Sequence, residues 1–283
     1  MNYGYLRGGF ANRFFQLAFF DWVAGQSNSR FMVILPAEES GLWKNVFKSI
    51  EFATPESQQQ AVRRAYLINR FPIKFIRLIN RLKEPNFMVD SENVSEQSDG
   101  FLEKKPGDWH WFGYWQLFGC EIYEQSLQQL RHYLVQTLQF DSLLRSDRST
   151  ICIHVRLKDY GKIINRLRFE TIDEDYYVKW IDRLSLGVTG LRLVLVTDEP
   201  QHPRVKTLLA SIAKTGPVEV RASDNLLNDL VEIASARYRI VGNSSFALLG
   251  CRLAKEGLSV IPARWYRFRR SVPNLRRALY AKV

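Results

Sequence analysis

Arg239-Ile240-Val241-Gly242-Asn243-Ser244-Ser245-Phe246-Ala247-Leu248-Leu249-Gly250-Cys251-Arg252-Leu253-Ala254-Lys255 reads as a short strand, a glycine turn carrying two hydroxyls, and an apolar helix from Phe246 to Lys255. A short strand, Ser259-Val260-Ile261, follows. Upstream, the same alternation runs through strand Ile151 to Val155, helix Asp173 to Leu186, strand Leu191 to Val196, helix Arg204 to Lys214, strand Val218 to Val220 and helix Asn225 to Ala236. A helix between two strands carries the chain back to the end it started from, so the strands pair in parallel under helical layers. Residues 146–265 are therefore predicted to form an α/β, Rossmann-like domain.

The first half shares this character more faintly. Tyr3-Gly4-Tyr5-Leu6 is extended, Arg7-Gly8-Gly9-Phe10-Ala11-Asn12 is a tight turn, and Phe15, Ala18, Phe19, Trp22 and Val23 recur at helical spacing. Phe31 to Pro36 reads as a strand, Gln58 to Lys83 as helical with a break at Pro72, Asp90 to Gly107 as a loop, and Glu121 to Leu138 as a helix. Asp141 to Thr150 is the expected junction. The organisation predicted is an α/β domain over 1–145, the Rossmann-like domain over 146–265, and a basic tail over 266–283.

With 46% hydrophobic and 24% charged residues, the chain of 283 can build packed cores. Its formal net charge of +11 favours polyanions, among them nucleic acid, anionic membrane and nucleotide-sugar phosphates, and charge alone does not choose. Cys120, Cys152 and Cys251 are odd in number and far apart, which fits a reducing compartment and writes no disulfide framework. The four histidines show no metal-binding helical spacing, so no metal site is expected. The apolar run from Phe14 to Val23 is interrupted by Gln16 and Asp21, and no run reaches the ~20 residues of a membrane span. A protein that is cytoplasmic, or at most peripheral at a membrane, is expected.

Ligands of open α/β sheets bind beyond the carboxyl ends of the strands, so polar residues that directly follow strands are the candidates. His154-Val155-Arg156, Thr197-Asp198-Glu199, Gly242-Asn243-Ser244-Ser245 and Gly8-Gly9-Phe10-Ala11-Asn12 all stand there. Ser244 and Ser245 can offer hydroxyls and helix N-terminal N–H groups to a phosphate, or serve as a plain helix cap. Arg156 has the fork to bridge a diphosphate, though a lone arginine is also an ordinary surface charge. Gly8-Gly9 lets backbone approach a ligand, but equally makes a plain turn. The aromatic run Trp109 to Trp115 suits sugar stacking or a core. Arg264, Arg267, Arg269, Arg270, Arg276 and Arg277, interleaved with Trp265, Tyr266 and Phe268, could bind nucleic acid, rest on an anionic bilayer, or form a solvated helix.

Taken in order, four stretches resemble glycosyltransferase family 11, the α-1,2-fucosyltransferases, within the wider fucosyltransferase superfamily. They are Gly8-Gly9-Phe10-Ala11-Asn12-Arg13-Phe14-Phe15-Gln16-Leu17-Ala18, Gly113-Tyr114-Trp115-Gln116, His154-Val155-Arg156-Leu157-Lys158-Asp159-Tyr160, and Asn243-Ser244-Ser245-Phe246. The resemblance implies a GT-B fold of two Rossmann-like domains facing a cleft. It implies GDP-fucose as donor, a glycan acceptor such as the O2 of a terminal β-galactose in surface polysaccharide or oligosaccharide synthesis, and inversion at fucose C1 with no metal or other cofactor and no nucleic-acid partner. By the same resemblance Arg156 holds the β-phosphate and assists its departure, His154 and Asp229 contact guanine, and Ser244 and Ser245, flanked by Asn243 and Phe246, bind phosphate oxygens. Gly9 lies against the donor, Asn12 orients donor or acceptor, and Asp159 is the candidate base. The chain departs from the family's pattern at Leu157, where a second arginine stands, at Lys158, where a glycine stands, and at Ala11 and Arg13.

Overall fold

Gly8, at φ 78°, turns the chain from the first strand, β1 (Asn2–Tyr5), into the first helix, α1 (Phe10–Ser27). A side chain there would be strained in the left-handed region and would also run into Asn12. The computed structural model describes residues 1–27, 30–70, 87–89, 109–112, 120–138, 147–157, 172–222, 225–263 and 278–281. The chain divides into two units, Met1–Tyr133 and Leu134–Val283.

In the N-terminal unit, β2 (Phe31–Ile34), α2 (Gly41–Val46), β3 (Glu51–Ala53), α3 (Gln60–Ile68), β4 (Phe87–Val89), β5 (Trp109–Phe112) and α4 (Cys120–Leu138) follow α1. The strands form one sheet in the order β3-β2-β1-β5-β4, with every pairing parallel. α1 holds the unit together because Phe14, Phe15, Leu17, Ala18, Phe19, Phe20 and Val23 are all buried. Its Phe20 ring stacks on Phe31 of β2 with centroids 5.3 Å apart and fills the space that a side chain at Gly4 would take. Phe15 meets Tyr123 of α4 edge to face at 5.3 Å. Burial of each such ring is worth on the order of 2 kcal/mol, so the aromatic run from Phe14 to Phe20 is core. The Trp109–Phe112 segment is the strand beside β1, a role its aromatic composition concealed.

The C-terminal unit contains β6 (Asp147–Val155), α5 (Glu174–Ser185), β7 (Arg192–Thr197), α6 (Pro203–Ile212), β8 (Val218–Arg221), α7 (Leu226–Ser235), β9 (Ala236–Val241), α8 (Ser245–Leu253), β10 (Leu258–Pro262) and β11 (Ala278–Ala281). The helices start where side chains accept the first free N–H groups: Asp173 from Tyr176, Asn225 from Leu227 and Ser244 from Ala247. The sheet order is β11-β10-β9-β6-β7-β8, again parallel throughout. Counted from β6, that is the 3-2-1-4-5-6 order of dinucleotide-binding domains, read from the other edge.

Alternation along β6 divides its two faces. Ile151, Ile153 and Val155 join Leu193, Leu195, Ile240 and Val260 in a core covered by Tyr176, Tyr177 and Ile181 of α5 and Val205, Leu208 and Ile212 of α6. Cys152 and His154 point the other way. On that side α8 is buried from Phe246 through Leu253. The α/β class and parallel sheets expected from the sequence thus hold in both units. Several boundaries differ: β6 begins before Ile151, β9 begins at Ala236 rather than Arg239, α8 stops at Leu253, and β11 lies within residues assigned to a basic tail, paired with β10 from Ser259 opposite Ala278 to Pro262 opposite Ala281. The helical run beyond residue 70 with its break at Pro72, the loop Asp90 to Gly107, Gly113 to Gln116 and the arginine cluster at 264–277 lie outside the described residues.

Arg239, 2% exposed in the middle of β9, closes the amino end of this sheet. Its guanidinium donates to the Ala236 carbonyl at 2.6 Å, the Glu256 carbonyl at 2.7 Å and Ser259 Oγ at 2.8 Å. Peptide carbonyls and one hydroxyl thereby take up a buried positive charge.

Candidate functional site

Strand order reverses between β6 and β9, and at such a switch point the crossovers on either side diverge and leave a crevice beyond the strand ends. Register pairs His154 with Val241 across it. The residues that leave the sheet there are Arg156 and Leu157 from β6, and Gly242, Asn243, Ser244 and Ser245 from β9. The structure therefore brings His154, Arg156, Asn243, Ser244, Ser245 and Phe246 to one place.

Ser244 is 3% exposed and caps α8 by accepting the Ala247 N–H at 3.4 Å, while Ser245 is the first residue of the helix and half-buried. Capping and phosphate binding are compatible, because a cap satisfies one N–H and leaves the remaining first-turn donors for an anion. Gly242 is required by packing: a Cβ there would stand 2.8 Å from the Tyr177 hydroxyl. That hydroxyl reaches the His154 carbonyl at 3.4 Å, and the neighbouring Tyr176 hydroxyl donates to the Val241 carbonyl at 3.0 Å. The first turn of α5 thus braces both strands of the switch point. Sequence reasoning did not single out these tyrosines; an aromatic pair three residues beyond the Asp173 cap was the available signal.

His154 is 5% exposed, with its ring 6.0 Å from that of Phe246 and its Nδ1 lacking a hydrogen-bond partner among the described residues. Burial, reinforced by Arg156, pushes its pKa down to about 4, with Asp198 acting the other way. The imidazole is neutral at physiological pH. Arg156 itself is exposed, as a cation that meets an incoming ligand must be. Leu157, at the position of the resembled family's second arginine, is 8% exposed and packs in the core under α5. A cation there would be buried in hydrocarbon, which accounts for the leucine.

Asp229 occupies the first turn of α7, and every helix that follows a parallel strand begins at the carboxyl edge of the sheet. It is 8% exposed. Burial raises its pKa to about 6, opposed by Arg221 and assisted by Glu232.

Gly9 and Asn12 belong to the other unit. They stand after β1, where order reverses between β1 and β5; Gly9 is exposed and Asn12 half-buried in α1. The turn is rigid because Gln16 accepts the Arg7 N–H and donates to the Arg7 carbonyl, both at 2.8 Å, and Asn69 donates to the Leu6 carbonyl at 2.9 Å. Arg13 pairs with Glu39 and donates to the Gly8 carbonyl at 3.1 Å. Asp159 lies outside the described residues. Among those described, no cluster of three or more His, Cys, Asp or Glu could hold a metal ion, and no helix is long and apolar enough to cross a membrane.

No family model matches the chain. In sequence it is similar to an α-1,2-colitosyltransferase of Escherichia coli, 20% identical over 269 residues that span 92% of this chain and 91% of the other. In structure it is similar to a mutant of Arabidopsis thaliana FUT1 in complex with GDP, with a TM-score of 0.52 and 11% identity over 92% of this chain and 69% of that one. NodZ α-1,6-fucosyltransferase soaked with GDP-fucose gives a TM-score of 0.46 and 14% identity over 89% of this chain and 92% of the other. The fold is that of GT-B glycosyltransferases, and the chain's sequence likeness, along nine-tenths of its length, is also to a glycosyltransferase.

Proposed function

We propose that the protein is a fucosyltransferase of the family 11 kind, which moves fucose from GDP-fucose to a glycan hydroxyl with inversion and without a metal. One observation carries the reading: exposed Arg156 and the capped N-terminus of α8 share the switch point of a sheet with dinucleotide-binding strand order. A diphosphate seated there meets a guanidinium fork and free helix N–H groups, which take up the charge that develops as the C1–oxygen bond breaks. Asp229 suits guanine, whose N1–H and N2–H present two donors that one carboxylate can accept together; adenine presents no such pair. The acceptor hydroxyl attacks C1 from the face opposite the departing GDP, and its proton passes to a base for which Asp159 is the candidate. In the N-terminal unit Gly9 is the proposed donor contact and Asn12 the residue that orients donor or acceptor, and the O2 of a β-galactose in surface polysaccharide is the proposed acceptor. A cytoplasmic location fits Cys152 and Cys251, both buried and free, with residues 264–277 as a peripheral contact to anionic membrane.

The test follows GDP release from GDP-fucose in EDTA, with and without a panel of β-galactosides. Galactoside-dependent release is expected; absence of both release and GDP binding would overturn the reading. A second donor is favoured by the sequence likeness to a colitosyltransferase. Colitose is fucose without its 3-hydroxyl, and a pocket built to hydrogen-bond that hydroxyl rejects the deoxy sugar far more strongly than an apolar pocket rejects the hydroxyl. Competition between GDP-fucose and GDP-colitose decides which donor the site prefers, and GDP-mannose serves as control.

A further inference from the structure

Arg156 is exposed on a strand end, and the backbone angles there decide which rotamers are open to its side chain. The last pair in the β6–β7 register is Val155 opposite Thr197, so residues 156 and 198 leave the sheet side by side. Asp198 Oδ1 accepts the Leu157 N–H at 2.9 Å, and the Leu157 side chain is buried in the core. The peptide that carries Arg156 is therefore pinned before it by the ladder and after it by a carboxylate and an apolar anchor. Asp198 is itself steadied, because Thr197 Oγ1 accepts the Glu199 N–H at 3.3 Å across it. Both Arg156 and Asp198 act on the buried His154 imidazole, in opposite senses, which fits two opposite charges at this strand end.

We propose that Asp198 is a positioning residue, which holds the Arg156 backbone at the angle that aims its guanidinium into the phosphate site without touching the ligand itself. The role rests on the donor reading above. It is tested by calorimetric GDP affinity of Asp198→Ala and Asp198→Asn, each made in the wild-type chain and in an Arg156→Ala background, with the melting temperature recorded for all. Asp198→Ala is expected to weaken GDP about tenfold in the wild-type background and less than about twofold when Arg156 is absent, since the loss runs through that side chain. Asp198→Asn, whose amide oxygen still accepts the Leu157 N–H, is expected to restore affinity to within about threefold of wild type. Hydrogen exchange at the Leu157 amide should quicken in the alanine variant alone. Equal losses in both backgrounds, no loss at all, or no rescue by asparagine would each overturn the role while leaving the donor reading standing. A wild-type chain that binds no GDP overturns the donor reading, and this role with it.

Discussion

Single residues at the switch point differ in what they do for the fold, and that separates their expected phenotypes. Arg156 is exposed, so Arg156→Ala should leave the melting temperature unchanged and lower kcat by about a hundredfold to a thousandfold, the usual loss of one donor that stabilises a leaving anion; a variant that keeps a tenth of wild-type turnover would exclude the role. Asp229 supplies a pH signature. Its pKa of about 6 in the free protein means that GDP, if it binds the ionised carboxylate, must expel a proton below that pH. GDP affinity should be flat above pH 6 and weaken below it, and Asp229→Asn should remove the slope along with much of the affinity, as calorimetry between pH 5 and pH 8 would record. His154, Arg156, Ser244 and Ser245 were legible in the sequence because polar residues after apolar strands are conspicuous. Asp198 was visible in the same way, but its bond to the Leu157 amide was not, since strand adjacency between β6 and β7 is a property of the sheet and not of the local sequence.

Among the elements, the pair α5 and β9 shows how a helix on one face sets what a turn on the other end can contain. Gly242→Ala brings a methyl to 2.8 Å from the Tyr177 hydroxyl, and relief requires a buried ring or a strand end to move. A loss of about 1–3 kcal/mol is expected in chemical denaturation, with Tyr177→Phe in the same chain recovering part of it, a positive coupling that a double-mutant cycle measures. An additive result would mean that the ring yields freely. Strand and helix positions in the C-terminal unit were readable because each βα segment has its own period and its own cap, as at Asp173, Asn225 and Ser244. β3, β4, β5 and β11 were not, for a common reason. Three or four residues long, they become strands because a neighbour offers an unpaired edge.

Over the whole molecule, acid stability is where buried charge becomes measurable. His154 has a folded pKa of about 4 against an ordinary 6.5, so the unfolded chain binds the extra proton between these values and stability falls as pH drops through that window, by roughly 3 kcal/mol in full. Asp229 works in the other direction, since its raised pKa makes the folded state the better proton acceptor between 3.8 and about 6. Urea unfolding at pH 7 and pH 5 should therefore show a modest loss in the wild type and none in His154→Gln, where Asp229 alone leaves a small gain; an unchanged loss in that variant would place the acid sensitivity elsewhere. The α/β class with parallel strands was legible from the alternation after Ile151, whereas the edge at β11 was masked by the arginines that precede it.

That edge has a consequence in time. β11 is the outermost strand on the β10 side and the latest of the six to leave the ribosome, so while residues 264–281 are still in the exit tunnel the nascent unit carries Leu258–Pro262 with one row of peptide groups unpaired. A half-made sheet with a bare apolar edge is what chaperones hold and what neighbouring chains on a polysome capture.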